Sequence, residues 1–117
     1  MTADDFDDHM RRLGYAIEVI TGANNAQYTV IKDITIRTGS LKGTVCDVAL
    51  QRTTTVPYVP PAAIHTRPHL LPMNSSAPFA TQAGHIGPEW QYWSRRYERP
   101  PTPRALWAHI LTVLGEM

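Results

Sequence analysis

A chain of 117 residues, 43% apolar and 18% charged, fits one domain spanning 1–117 with one core, and its composition excludes wholesale disorder. A net charge of +1 argues against a general nucleic-acid binder held by phosphate contacts, and a single cysteine excludes an internal disulfide. No apolar run approaches the ~20 residues that span a bilayer, and the acidic start MTADDFDDHM lacks a hydrophobic signal core, so a cytoplasmic protein is expected.

Residues 2–13 read as a helix. Thr2 is a suitable N-cap, and Asp4 and Asp5 lie where carboxylates favour the helix dipole. Phe6, Met10 and Leu13 fall on one face, and Gly14 supplies a left-handed stop. Three strands follow. The first, Tyr15–Ile20, alternates through Tyr15, Ile17 and Val19, and Gly22–Asn25 is turn chemistry. The second is a longer extended stretch, Gln27–Arg37, with Asp33 marking a bend or bulge. After the turn at 38–43, Thr44–Gln51 places Cys46, Val48 and Leu50 on one face. Short turns between alternating strands predict an antiparallel meander.

All ten prolines lie between Pro57 and Pro103. The segment 53–64 therefore reads as an edge strand at most, followed by extended turns. Residues 65–88 show neither helical nor strand period, and long irregular stretches of this kind are usually functional or disordered. The last element is a helix. Thr102 caps it, Pro103 takes the first position, and Leu106, Ile110 and Val113 recur at helical spacing until Gly115. The predicted fold class is α+β, a two-layer domain in which N-terminal and C-terminal helices cover one face of a meander of three or four strands.

Residues 84–111 gather all three tryptophans and four of the eleven basic residues. Trp90 and Trp93, three apart, are expected to share one face of a helical turn, with one packed and the other partly exposed. Arg95, Arg96 and Arg99 either meet an acidic partner or form a solvated basic turn. Histidines His65 and His69 are expected on the loop surface, with no third ligand at motif spacing. His85, between Gly84 and Gly87, is a candidate general base or oxyanion donor, or else a turn residue bonded to backbone. His109 lies in the final helix. Cys46 alternates with Val48 and Leu50, which turns it toward the core as a small hydrophobe.

The order of elements resembles the ubiquitin-conjugating enzyme superfamily, whose core is a helix, a four-stranded meander, a long active-site loop and a following helix. VCDVALQRTTTVPYVPPAAI at 45–64 is similar to the strand entering that fold's Tyr-Pro-x-x-Pro-Pro turn. Here the run is shortened to Tyr58, Val59, Pro60 and Pro61. EWQYWSRRY at 89–97 looks like the Trp-Gln-x-Trp-Ser-Arg-His signature of a bacterial branch, prokaryotic family E, with Arg96 in the position of the histidine. That branch is associated with ubiquitin-like modification operons that also carry an activating enzyme and a JAB-type peptidase.

The resemblance implies thioester chemistry, which requires a thiolate in the long loop. Residues 53–102 hold no cysteine, and the His-Pro-Asn element is also missing. Three readings follow. The first is a pseudoenzyme, a thiol-less binding module that holds a ubiquitin-like protein, an activating enzyme or another conjugation component. Its expected contacts are Trp90, Trp93, Arg95, Arg96, Arg99, Tyr58, Pro60 and Pro61. The second is an active conjugating enzyme, either through a catalytic thiol this sequence does not carry or with His85 assisting the chemistry. The third is an unrelated α+β ligand-binding or interaction domain. No metal, cofactor, membrane or nucleic-acid partner is expected.

Overall fold

The computed structural model describes residues 2–52, 63–70, 81–83, 86–94 and 102–115. Helix α1 covers Ala3–Arg12. Its start is fixed by a reciprocal cap: the Asp5 amide donates to Thr2 Oγ1 at 3.1 Å, and the Thr2 amide donates to Asp5 Oδ2 at 2.8 Å. Such a pair satisfies two amides that the first helical turn otherwise leaves without partners. Gly14 ends the helix with φ +97°, a conformation that a Cβ would strain.

Six strands follow in the described residues: β1 Ile17–Thr21, β2 Gln27–Thr35, β3 Val45–Gln51, β4 Ala63–Arg67, β5 Thr81–Ala83 and β6 Gln91–Ser94. Their order across the sheet is β1-β2-β3-β4-β6-β5, and every neighbouring pair is antiparallel. Helix α2, Pro103–Gly115, closes the chain; its cap Thr102 Oγ1 accepts from the Ala105 amide at 3.1 Å.

Asp33 shows how local geometry serves the core. Ile31 and Ile34, three apart, would face opposite sides of a regular strand. The register of β2 against β3 shifts between them, and Asp33 takes φ +55°, which a short polar side chain tolerates. The extra residue returns Ile34 and Ile36 to the side of Ile31. That side carries the main core, in which Phe6 and Met10 of α1 and Leu106, Ile110, Val113 and Leu114 of α2 meet Ile31, Ile34, Cys46, Val48, Leu50, Ile64 and Trp93. Both helices thus cover the same face of the sheet. Burial of each large apolar side chain there contributes about 1.5–3 kcal/mol.

The opposite face is not bare. Tyr28, Val30, Ala49, Ile86 and Trp90 form a second buried cluster, flanked by Ile20 and Ala26. Residues 86–90 strap across it. The Ala23 amide donates to the Ile86 carbonyl at 2.9 Å, and a Cβ on Gly22 would lie 2.9 Å from the Tyr28 ring and 3.1 Å from Ile86 Cα. Glycine is required where the strap crosses this closely.

Four expectations are corrected. Among the described residues the sheet has six strands rather than three or four. The proline-rich region supplies an interior strand, β4, paired to β3 and β6, because Pro61 and Pro68 flank it rather than interrupt it. Trp93 lies in strand β6 and Trp90 immediately precedes it, so the two do not share a helical turn, and β5 lies within the stretch that shows no period. Among the described residues, no helix is long and apolar enough to cross a membrane.

Candidate functional site

Cys46, the only thiol of the chain, lies in β3 on the helix-covered side and is 3% exposed. Burial first, and the neighbouring Asp47 carboxylate second, push its pKa up to about 11. It is therefore a neutral thiol at physiological pH, and neutral thiols are poor nucleophiles. This agrees with its expected place in the core.

The face without helices holds a cluster of polar and aromatic groups. His65 of β4 is 3% exposed, not a surface loop residue as expected. The period of β4 explains the difference. Ile64 and Thr66 face the helices, whereas His65 and Arg67 face away. The His65 ring stands edge-on between Tyr28, at 5.3 Å and 78°, and Tyr92, at 5.1 Å and 74°. Such edge-to-face pairs are favourable. The Tyr28 hydroxyl accepts from Asn24 Nδ2 at 2.8 Å, which ties the cluster to the β1–β2 turn. His69 is exposed, and its Nε2 lies 3.0 Å from the Pro88 carbonyl oxygen, to which it donates. Among the described residues, no group of three or more His, Cys, Asp and Glu is arranged to hold a metal ion.

Beside the aromatic cluster runs a row of alternating charge. Glu18 of β1 approaches Lys32 of β2 at 3.8 Å, Lys32 approaches Asp47 of β3 at 3.8 Å, and Asp47 meets Arg67 of β4 at 2.7 Å. Arg67 Nε also donates to Asp47 Oδ2 at 3.1 Å, and the amide of Asp33 donates to Oδ1 at 2.9 Å. Burial alone would raise the Asp47 carboxyl. The Asp33 amide, the Arg67 guanidinium and Lys32 outweigh it and hold the group below the usual carboxylate range. The Arg67 guanidinium also covers the Trp90 ring, 4.5 Å from its centre, a cation–π contact. The row sums to zero charge, so it fixes strand register and offers no excess field to a charged ligand.

The two tryptophans part company. Both are 0% exposed, but they lie on opposite sides of the sheet. Trp93 joins the helix-side core, where its Nε1 donates to Thr66 Oγ1 at 3.0 Å. Trp90 joins the opposite cluster, and its Nε1 has no hydrogen-bond partner among the described residues. The expected exposed tryptophan edge is therefore corrected: neither ring is open to a partner. Tyr58, Pro60, Pro61, His85, Arg95, Arg96 and Arg99 lie outside the described residues.

A second polar cluster pins α1 to the sheet. Asp7 is 2% exposed; its Oδ1 accepts from Thr29 Oγ1 at 2.8 Å, and Arg52 Nη1 donates to Oδ2. Arg52 Nη2 also reaches Asp4 at 2.7 Å. Burial alone would lower the guanidinium pKa, but the bonds to Asp7 and Asp4 raise it above its ordinary value. From the sequence, the acidic run is expected to be a solvated, dipole-matched helix start. That holds for Asp4, Asp5 and Asp8, which are exposed, and fails for Asp7. Its position beside Phe6 and three residues before Met10 was the available signal, since it falls at the margin of the apolar face.

Comparisons with protein-family models, with curated proteins and with solved structures find no match for this chain.

Proposed function

We propose that this chain is a ubiquitin-conjugating-enzyme-like binding module of a bacterial, cytoplasmic ubiquitin-like modification pathway, one that holds a partner and forms no thioester. The position of Cys46 carries the reading. A thioester-forming enzyme needs an accessible thiolate, and the only thiol is sealed in β3 with its pKa near 11. The order of a capped helix, a four-stranded meander and a final helix, with both helices on one face, supports the superfamily resemblance. The shortened Tyr58, Pro60, Pro61 turn supports the superfamily, and the motif WQYWS supports the bacterial branch. The partner is a ubiquitin-like protein, its activating enzyme or another conjugation component, and Arg95, Arg96 and Arg99 are its expected contacts.

The β5–β6 hairpin favours a second reading. It stands between the meander and α2, where the resembled fold has a long active-site loop. An unrelated α+β interaction domain accommodates it without special explanation.

One experiment separates the readings. The chain is incubated with a bacterial ubiquitin-like protein, its activating enzyme and ATP, then resolved without reductant and by pull-down. The expected result is a non-covalent complex and no reducible adduct, with Arg95→Ala plus Arg96→Ala slowing association and flattening its salt dependence. A reducible adduct on Cys46 overturns the binding-module reading. Failure to bind any conjugation component transfers the protein to the unrelated-domain reading.

A further inference from the structure

The outer edge of β1 combines three observations. First, its backbone is open. The Lys32 amide donates to the Ala16 carbonyl at 3.1 Å, and the Gly22 amide donates to the Ala26 carbonyl at 2.9 Å. Antiparallel pairing alternates, so Ala16, Glu18, Ile20 and Gly22 turn their backbone groups toward β2, and Ile17, Val19 and Thr21 turn theirs outward. Among the described residues, no strand pairs with that side. The next outward amide, Ala23, is already taken by the Ile86 carbonyl, which limits the open edge to the five residues of β1. Second, the edge lacks the usual protection. It contains no proline and no lysine, and its register against β2 is unbroken; Glu18 is its only charge. The opposite edge, β5, is only three residues long. Third, the middle outward residue, Val19, is 46% exposed.

We propose that β1 is a self-association edge, to which a second copy of this chain adds antiparallel about a two-fold axis at Val19. This inference goes beyond the function proposed above and does not depend on it. The sequence of the edge is self-complementary in that arrangement. Val19 meets the partner's Val19, Ile17 meets the partner's Thr21, and Glu18 meets the partner's Ile20. No like charges stand opposite, and β-branched side chains meet across the junction. The three outward pairs form about six main-chain hydrogen bonds. The chain's net charge of +1 adds little repulsion. Two five-residue edges bury less than the ~1,200 Å² of a standard stable interface, so the dimer is weak and depends on concentration.

Sedimentation of the purified chain between about 10 µM and about 1 mM tests the proposal. The mass average is expected to rise toward twice the monomer. Hydrogen exchange at Ile17, Val19 and Thr21 is expected to slow with concentration, while Glu18 and Ile20 stay unchanged. Val19→Pro removes the outward amide at the axis and spares the ladder to β2. Val19→Lys leaves the backbone alone and sets two like charges on the axis. Each is expected to raise the dissociation constant at least about tenfold, and if the proline variant does not fold, the lysine variant decides. A monomer across the whole range overturns the proposal, as does wild-type association by the folded variants. So does protection of these amides only when an extended foreign peptide is added.

Discussion

Replacing Arg52 by alanine strands a carboxylate in the interior. Asp7 is 3% exposed at its side chain and Arg52 is 17% exposed, so Asp7 would keep only the Thr29 hydroxyl as a side-chain donor. Breaking a buried ion pair from one side typically costs about 3–5 kcal/mol. The low end applies because Arg52 borders solvent, and water can reach the vacated position, which sets the expectation at about 3 kcal/mol. The unfolding entropy of 117 residues is about 0.25 kcal/mol/K, so the midpoint should fall by about 12 °C. Asp7→Ala removes the stranded acid itself and leaves Arg52 partly solvated and still bonded to Asp4; about 2 kcal/mol is expected. The double variant should cost about the same as Arg52→Ala alone, giving a coupling near 2 kcal/mol. Urea unfolding followed by circular dichroism and by fluorescence of the buried tryptophans measures all three variants. A loss below about 1 kcal/mol for Arg52→Ala, or a double variant equal to the sum of the singles, would refute the account of α1 as held by this pair.

Asp47 sets an acid limit. Its carboxyl is held below the ordinary range in the folded state, so its stabilisation is complete above the unfolded value of about 3.9 and disappears as pH falls through the folded value. Acid titration of stability should show a loss below about pH 4 that Asp47→Asn diminishes. Gly22→Ala should cost about 1–3 kcal/mol, since the added methyl meets Tyr28 and Ile86, and exchange at the Ala23 amide should quicken as the strap shifts. Cys46 should resist alkylation at pH 7 in the folded protein and react fully in urea. Cys46→Ala should leave partner binding intact at a cost of about 1 kcal/mol.

The parts legible in the sequence were those fixed by local chemistry. The Thr2 cap, the Gly14 stop, the Asp33 bulge, the alternation around Cys46 and the Thr102–Pro103 helix start each depend on residues within a few positions of one another. Strand β4 was hidden because its sheet is buried on both sides there. Ile64, His65 and Thr66 are all inside, so no apolar–polar alternation survives to be read. The spacing of three between Trp90 and Trp93 suits one helix face, and only the pairing of Trp93 with Ile64 reveals a strand that starts just after Trp90. The same limit applied to His65. Its neighbours Tyr28 and Tyr92 lie 37 and 27 positions away, and each reaches it through a different part of the sheet.

The placement of β6 between β4 and β5 governs what the growing chain exposes during synthesis. One flank of β4 pairs with β3 as soon as both are made, but its other flank waits for β6, which begins 24 positions after Arg67. At about 5–20 residues per second, that wait is about 1–5 s. For that interval the nascent protein carries an uncapped interior strand, a template for pairing with neighbouring chains. The exposure ends when Trp93 comes to rest opposite Ile64, so the last third of the polypeptide acts as the guard of the first two.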